Sequence, residues 1–213
     1  MNTKRFIAIA LTLILALSLA ACGGGNTGSS EATTGDTTKT SDSVEMGELA
    51  LVIGSEAFTL PITIEDFMAL GWETAYEESA VNLEKTLNPK EFTTIYLVKG
   101  EYHATSLVAN LTDDGITVSQ GTIVGFDDIW SETEAMLELP NGIVQGVSTR
   151  GELMAAYGEP YEVDSWGKWI RYNLEGFFVT IVVGEEENDV IGLITIKFQD
   201  WKDFDSIHFK SNS

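Results

Sequence analysis

Few residues of this chain have the chemistry of a catalytic or metal-binding group. A nucleophile activated by a base needs Ser or Cys beside His, and the chain has one cysteine, Cys22, and two histidines, His103 and His208. Neither a His-Glu-x-x-His zinc spacing nor a Gly-x-x-x-x-Gly-Lys phosphate loop occurs in the sequence. We therefore predict a protein that is not an enzyme and that has no cofactor and no metal site.

The 33 acidic residues do not single out a catalytic pair, because so many carboxylates come close to one another by chance. An acid-dependent hydrolase is therefore the less favoured alternative. Calcium takes six to eight oxygen ligands and could use three acidic stretches, none of which follows the twelve-residue loop pattern, so solvated turns are the favoured interpretation. These stretches are Asp113–Asp114, Asp127–Asp128 and Glu185–Asp189.

Two tryptophans, Trp166 and Trp169, flank a Gly-Lys pair just before a predicted strand. Exposed indole rings stack on sugars and form hot spots in protein interfaces. We predict these two residues as possible ligand contacts. The alternative is that all five tryptophans fill the core, and Trp72, Trp130 and Trp201 have the surroundings of packing residues.

The N-terminal segment has the layout of a secretory signal. Lys4 and Arg5 precede an apolar run that ends in small residues at Ala21, and a run of about 16 residues is short for a bilayer-spanning helix. The sequence Leu19-Ala20-Ala21-Cys22 resembles the bacterial lipoprotein signal. That resemblance implies a signal peptide at 1–21, a lipid on Cys22, and a position on the extracytoplasmic face of the cell membrane.

The charge of the chain restricts its partners. The net charge is −21, and removal of the signal peptide would make it more negative by two, because Lys4 and Arg5 would be lost. A surface this acidic repels phosphate backbones. We therefore predict no nucleic-acid partner, and membrane association only through the lipid on Cys22.

Composition divides the rest of the chain. Residues 22–46 are rich in Gly, Ser and Thr and almost lack apolar residues, which predicts a flexible linker. Residues 47–213 have enough apolar side chains for a core. A weak internal repeat, in which Thr63–Gly71 is similar to Thr149–Gly158, divides this part into halves at 47–138 and 139–213.

Each repeat segment predicts a short helix. Thr63 and Thr149 are each followed three residues later by an acid, as in a capping box, and each segment ends at a glycine. Antiparallel strands are predicted downstream of each helix from runs of alternating or β-branched residues. The predicted strands are 94–98, 102–111 and 116–124 in the first half, and 170–174, 177–183 and 194–198 in the second.

The motifs Leu139–Ile143, Gly146–Leu153 and Tyr157–Pro160 resemble a module of small envelope lipoproteins. The module is similar to the small lipoprotein of the outer-membrane assembly machinery and to the tandem repeats of β-lactamase inhibitory proteins. With Phe58–Pro61 and Phe67–Trp72, the whole region resembles uncharacterised Firmicutes lipoproteins. The resemblance implies a short helix against an antiparallel sheet and a function in protein contacts.

These observations lead to one prediction of fold and function. We predict an α+β fold of two related halves, each a short helix plus a small antiparallel β-meander. The predicted function is that of a lipid-anchored extracytoplasmic module that binds another envelope protein without catalysis. The alternative is a module that binds cell-wall glycan or a small solute.

Overall fold

The structure is a computed structural model that describes residues 47–131, 137–184 and 189–209, about half of which lie in β-strands. The strands are β1 (Leu49–Ile53), β2 (Glu56–Leu60), β3 (Ile62–Thr63), β4 (Glu73–Thr74), β5 (Thr86–Leu87), β6 (Glu91–Lys99), β7 (Tyr102–Ala109), β8 (Ile116–Thr117), β9 (Thr122–Ser131), β10 (Leu137–Leu139), β11 (Ile143–Val144), β12 (Glu162–Val163), β13 (Trp169–Leu174), β14 (Phe177–Val183), β15 (Ile191–Phe198) and β16 (Asp205–Ser206). The helices are α1 (Ile64–Ala69), α2 (Glu77–Asn82) and α3 (Arg150–Tyr157). All described residues belong to the compact unit Asp42–Ser213. A second unit, Met1–Ser41, lies outside the described residues, as do Cys22 and the predicted linker.

The larger sheet has ten strands. Its order is β12-β13-β14-β15-β9-β7-β6-β16, and β3 and β4 pair with β9 and β6 beside this path. The pairings are antiparallel except that β16 runs parallel to β6. Its strands alternate between faces; in β14, for example, Phe177, Val179, Ile181 and Val183 are buried. This alternation gives the sheet one face toward the core and one toward solvent.

A smaller sheet covers part of the core in the order β11-β10-β1-β2. Buried Leu49, Leu51 and Ile53 of β1 lie in the same core cluster as residues of the ten-stranded sheet. Segments 49–60 and 137–144, which form this sheet, had no predicted strands. Their hydrogen bonds connect parts of the chain that are far apart in sequence.

The two helices predicted from the repeat are confirmed. The Thr63 side chain accepts a hydrogen bond from the Asp66 N–H and caps α1. At α3, Thr149 and Glu152 form a complete capping box, in which each side chain bonds to the other residue's backbone. Gly158 ends α3 with a φ of 74°, a conformation that glycine adopts at low energetic cost.

Four aromatic side chains anchor α1 to the core. The Phe67 ring stacks on Trp72 at a centroid distance of 4.9 Å, meets Phe58 edge-on at 5.1 Å and lies 5.8 Å from Phe126. Phe67 is fully buried, and replacing such a residue by Ala costs about 3–5 kcal/mol. This cluster therefore fixes a short helix of low intrinsic stability against the sheet.

The predicted α+β fold class is wrong: the protein is mostly β-sheet. The three helices have only six, six and eight residues, and most strands of the two predicted meanders join one sheet. The predicted strand 116–124 is wrong, because it is divided into β8, which pairs with β5 in a separate two-stranded sheet, a 3-10 turn at Val118–Gln120 and the start of β9. The joint is the antiparallel pairing of β9 with β15, at Phe126 with Ile196 and Gly125 with Lys197. As separate meanders, the halves would have exposed the unpaired backbone groups of β9 and β15 at two sheet edges. Pairing these strands with each other satisfies those groups.

Candidate functional site

The candidate site is a cleft on the solvent-facing side of the larger sheet. Strand register places Glu162, Arg171, Thr180 and Thr195 in one row, because each is the cross-strand partner of the next. Directly opposed residues of antiparallel strands share a face. The cleft has a volume of about 600 Å³, within the range of small-molecule sites. Besides this row it is lined by Asp127, Tyr161, Trp169, Phe178, Lys197, Trp201 and Lys202.

Four of the five charged side chains that line the cleft form two ion pairs, and the fifth, Lys202, is exposed. Arg171 lies 2.5 Å from the Glu162 carboxylate, and Lys197 lies 2.7 Å from the Asp127 carboxylate. Thr hydroxyls support both pairs. The Arg171 Nε donates to Thr180 Oγ1 at 3.3 Å, and the Thr195 hydroxyl donates to the backbone carbonyl of Asp127 at 3.1 Å. These bonds fix the positions of polar groups that remain in contact with solvent.

Aromatic rings lie among these charges. The Tyr161 and Phe178 rings are 5.7 Å apart, and the Arg171 guanidinium lies 5.8 Å from the centre of the Phe178 ring. The Lys197 ammonium lies 5.1 Å from the centre of the Trp201 ring. Both cations are within the distance of a cation–π interaction. The cleft therefore combines ring faces with fixed hydrogen-bonding groups.

The turn that leads into the cleft is held by Asp164. Its carboxylate accepts hydrogen bonds from the backbone N–H groups of Trp169 at 2.9 Å and Lys168 at 2.7 Å, and these bonds lower the pKa of Asp164. The Arg150 guanidinium donates to the Gly167 carbonyl and lies 3.2 Å from Asp189. The turn is thus tied both to its own backbone and to the start of α3.

Large apolar side chains are exposed along this segment. Tyr161, Val163, Trp166 and Trp169 are 67, 45, 81 and 50% exposed. They are four of the eleven exposed large hydrophobic residues in the described part of the chain, within nine consecutive positions. We call these four residues the hairpin surface. Such a concentration of exposed apolar residues is typical of an interaction site.

The structure separates the two tryptophans predicted as ligand contacts. Trp169 lines the cleft, whereas Trp166 lies on the turn and is not among the lining residues. Their role as ligand contacts stays a prediction. Trp72 is buried as predicted, but the packing role predicted for Trp130 is wrong, because this ring is 41% exposed.

The two histidines lie away from the cleft. His103 stacks on Trp130 with ring centroids 3.8 Å apart, and these two residues are cross-strand partners in β7 and β9. The exposed His208 lies 3.4 Å from the Ser206 hydroxyl, beside the C-terminal strand β16. Neither histidine is among the residues that line the cleft.

The acidic stretches considered as calcium ligands lie in different environments. Asp127 is paired with Lys197, and Asp189 is paired with Arg150; positions 185–188 lie outside the described residues. Burial raises the pKa of Asp128. Within 47–131, 137–184 and 189–209, no three His, Cys, Asp or Glu side chains are grouped closely enough to hold a metal ion.

Sequence reasoning missed most of the cleft. Arg171 and Lys197 alternate with the buried residues of β13 and β15, so the period-two pattern does place them on the outer face. Asp127 is harder to assign because the pairing of β7 with β9 is irregular near it. Which outward residues share one cleft depends on strand order, which the pattern does not contain.

Comparisons with protein-family models, with curated proteins and with solved structures find no match for this chain. In the described part of the chain, no helix is long and apolar enough to cross a membrane. Neither finding bears on the predicted lipid anchor or on the resemblance to envelope lipoproteins.

Proposed function

We propose that this chain is a lipid-anchored, non-enzymatic binding module on the extracytoplasmic face of the cell membrane, and that its partner is another envelope protein. The observation that carries the proposal is the hairpin surface, with its four exposed apolar side chains in nine residues. Trp and Tyr, together with Arg, are the residue types that most often dominate the energy of protein interfaces. Arg171 adjoins the surface in the cleft.

Trp166 is the expected centre of this interface. It is 81% exposed, so a partner would bury nearly the whole indole ring, ideally in an apolar pocket. The bonds made by Asp164 and Arg150 hold the turn in place before the partner arrives. Such preorganisation reduces the entropy that is lost on binding.

The test compares Trp166, which belongs to the hairpin surface, with Trp130, which does not. Full-length protein in detergent is immobilised and exposed to an envelope extract, as wild type, as Trp166→Ala and as the control Trp130→Ala. We expect a saturable partner that wild type and Trp130→Ala retain equally. Trp166→Ala should bind it about 30-fold or more weakly, as expected for a hot-spot residue. Equal retention by all three proteins would contradict the role of the hairpin surface.

The lipid anchor has its own test. Cys22→Ser should accumulate as an unprocessed precursor that takes up no labelled lipid, because the thiol that would carry the lipid is absent. Wild type processed in the same cells is the control. Normal processing and labelling of Cys22→Ser would refute the anchor and leave the binding surface untouched.

A further inference from the structure

The cleft has a different chemical character from the hairpin surface that adjoins it. Its ion pairs, Arg171 with Glu162 and Lys197 with Asp127, balance each other's charge. On a chain of net charge −21, these two neutral pairs are locally distinct. The third cation of the lining, Lys202, is exposed and lies in sequence between Asp200 and Asp203. A charged ligand would therefore have to break one of the two pairs or rely on this single exposed lysine.

The paired groups nevertheless keep hydrogen-bonding capacity. Arg171 has five N–H donors, of which one contacts Thr180 and one contacts Glu162. A carboxylate such as Asp127 accepts about four hydrogen bonds. Lys197 contacts only one of its two oxygens, Oδ1. A ligand rich in hydroxyl groups can use these donors and acceptors without displacing either ion pair. An apolar ligand would remove these donors and acceptors from water without forming hydrogen bonds to them, which is unfavourable.

The aromatic rings of the cleft indicate a second property of the ligand, the ability to stack on an aromatic face. Trp169 and Tyr161 are half or more exposed, and Phe178 and Trp201 lie beside the cations Arg171 and Lys197. Rings of this kind stack against the C–H faces of sugar rings. The cleft crosses the five strands from β12 to β9, about 19 Å at the usual strand spacing, which is longer than a single sugar unit.

We propose that the cleft binds a neutral oligosaccharide. Trp169 would stack against a sugar ring, and Arg171 and Asp127 would form hydrogen bonds with sugar hydroxyl groups. This site is separate in function from the protein contact at Trp166 and does not depend on it. The two share only the edge formed by Tyr161 and Trp169. A module with both sites would connect a glycan chain to a protein partner at the membrane surface.

The test is calorimetric titration of the full-length protein in detergent with cellotetraose, chitotetraose and the acidic comparator tetragalacturonate. We expect a neutral tetrasaccharide to bind with an affinity that is the same at low and high ionic strength, because no net charge is involved. Asp127→Ala and Trp169→Ala should each weaken this binding by about tenfold or more. Trp166→Ala is the control and should bind the sugar as wild type does.

Three results would overturn the oligosaccharide proposal. They are no binding of either neutral sugar by folded wild type, binding of tetragalacturonate alone, and equal loss of sugar binding in Trp166→Ala and Trp169→Ala. Thermal unfolding of each variant identifies any that fails to fold. Since Trp169 is half exposed, its variant keeps the test valid if Asp127→Ala does not fold. Loss of the protein partner in Trp166→Ala with sugar binding intact would separate this proposal from the previous one.

Discussion

Gly125 lies in β9 at the point where the two predicted halves join, opposite Leu107 of β7 and Lys197 of β15. A Cβ atom added at this position would lie 2.1 Å from the Ile196 carbonyl oxygen and 3.0 Å from its carbon. Cβ atoms in proteins essentially never approach another atom within 3.0 Å. Gly125→Ala would therefore force β9 and β15 apart or break their pairing.

The expected loss of stability is that of an overpacked interior. Overpacking of a well-packed interior by one methyl group costs about 1–3 kcal/mol. The smaller entropy of an alanine-containing unfolded chain offsets about 0.4–1 kcal/mol of this. For a unit of this size, about 1–2 kcal/mol of net destabilisation lowers the unfolding temperature by about 2–8 °C.

Gly192→Ala is the matched control. Gly192 is exposed in β15, and the nearest atom to its added Cβ is the Val182 carbonyl oxygen, at an ordinary distance of 3.6 Å. This variant should be within about 0.5 kcal/mol of wild type. The assay is thermal unfolding of the full-length proteins followed by circular dichroism. If Gly125→Ala is as stable as Gly192→Ala, the pairing of β9 with β15 is refuted.

The remaining predictions concern single titrating groups. Asp164→Asn should be less stable than wild type at neutral pH, because backbone N–H groups lower the pKa of Asp164; the difference is fully present above pH about 4 and disappears as the pH falls through the folded-state pKa. Asp128→Asn should be more stable at neutral pH, because burial raises the pKa of Asp128, and the gain should vanish below pH about 4. Tyr157→Phe should lose about 1 kcal/mol with the hydrogen bond to the Pro140 carbonyl; since burial raises the pKa of Tyr157 to about 12, wild type alone should lose this stability between pH about 10 and about 12. Unfolding temperatures across pH test all three, and a pH-independent difference for any variant would contradict its explanation.

Local features of the fold could be predicted from the sequence. The caps at Thr63 and Thr149 lie within four residues of their partners, and the turn between β13 and β14 uses Glu175 and Gly176 at φ angles of 51° and 82°. Two strands of the second half were predicted nearly at their observed limits, and the third was predicted three residues short at its start. In each case, residues close in sequence determine the structure.

Pairings between distant segments could not be predicted in this way. β1 pairs with β10 through Val52 and Glu138, and β9 pairs with β15 through Phe126 and Ile196. Hydropathy shows which side of a strand is buried but not which strand lies beside it. The predicted fold class failed for this reason, because the predicted strands were assigned to two sheets although most of them lie in one.

The candidate site shows the same limit. Trp166 and Trp169 could be selected from their type and position, because they flank a Gly-Lys pair just before a predicted strand. Asp127 and Lys197 could not, because their contact depends on the pairing of β9 with β15. A cleft built from several strands becomes visible only when strand order is known.

Site-specific crosslinking in living cells tests the central claim most directly. The photoreactive amino acid p-benzoylphenylalanine is placed at position 166 or, as the control, at position 130 of the full-length chain, and the cells are irradiated. The binding-module account predicts one discrete protein adduct from position 166 that excess wild-type chain suppresses, and no such adduct from position 130. The same adducts from both positions, or none from 166 in correctly folded and processed protein, would contradict it.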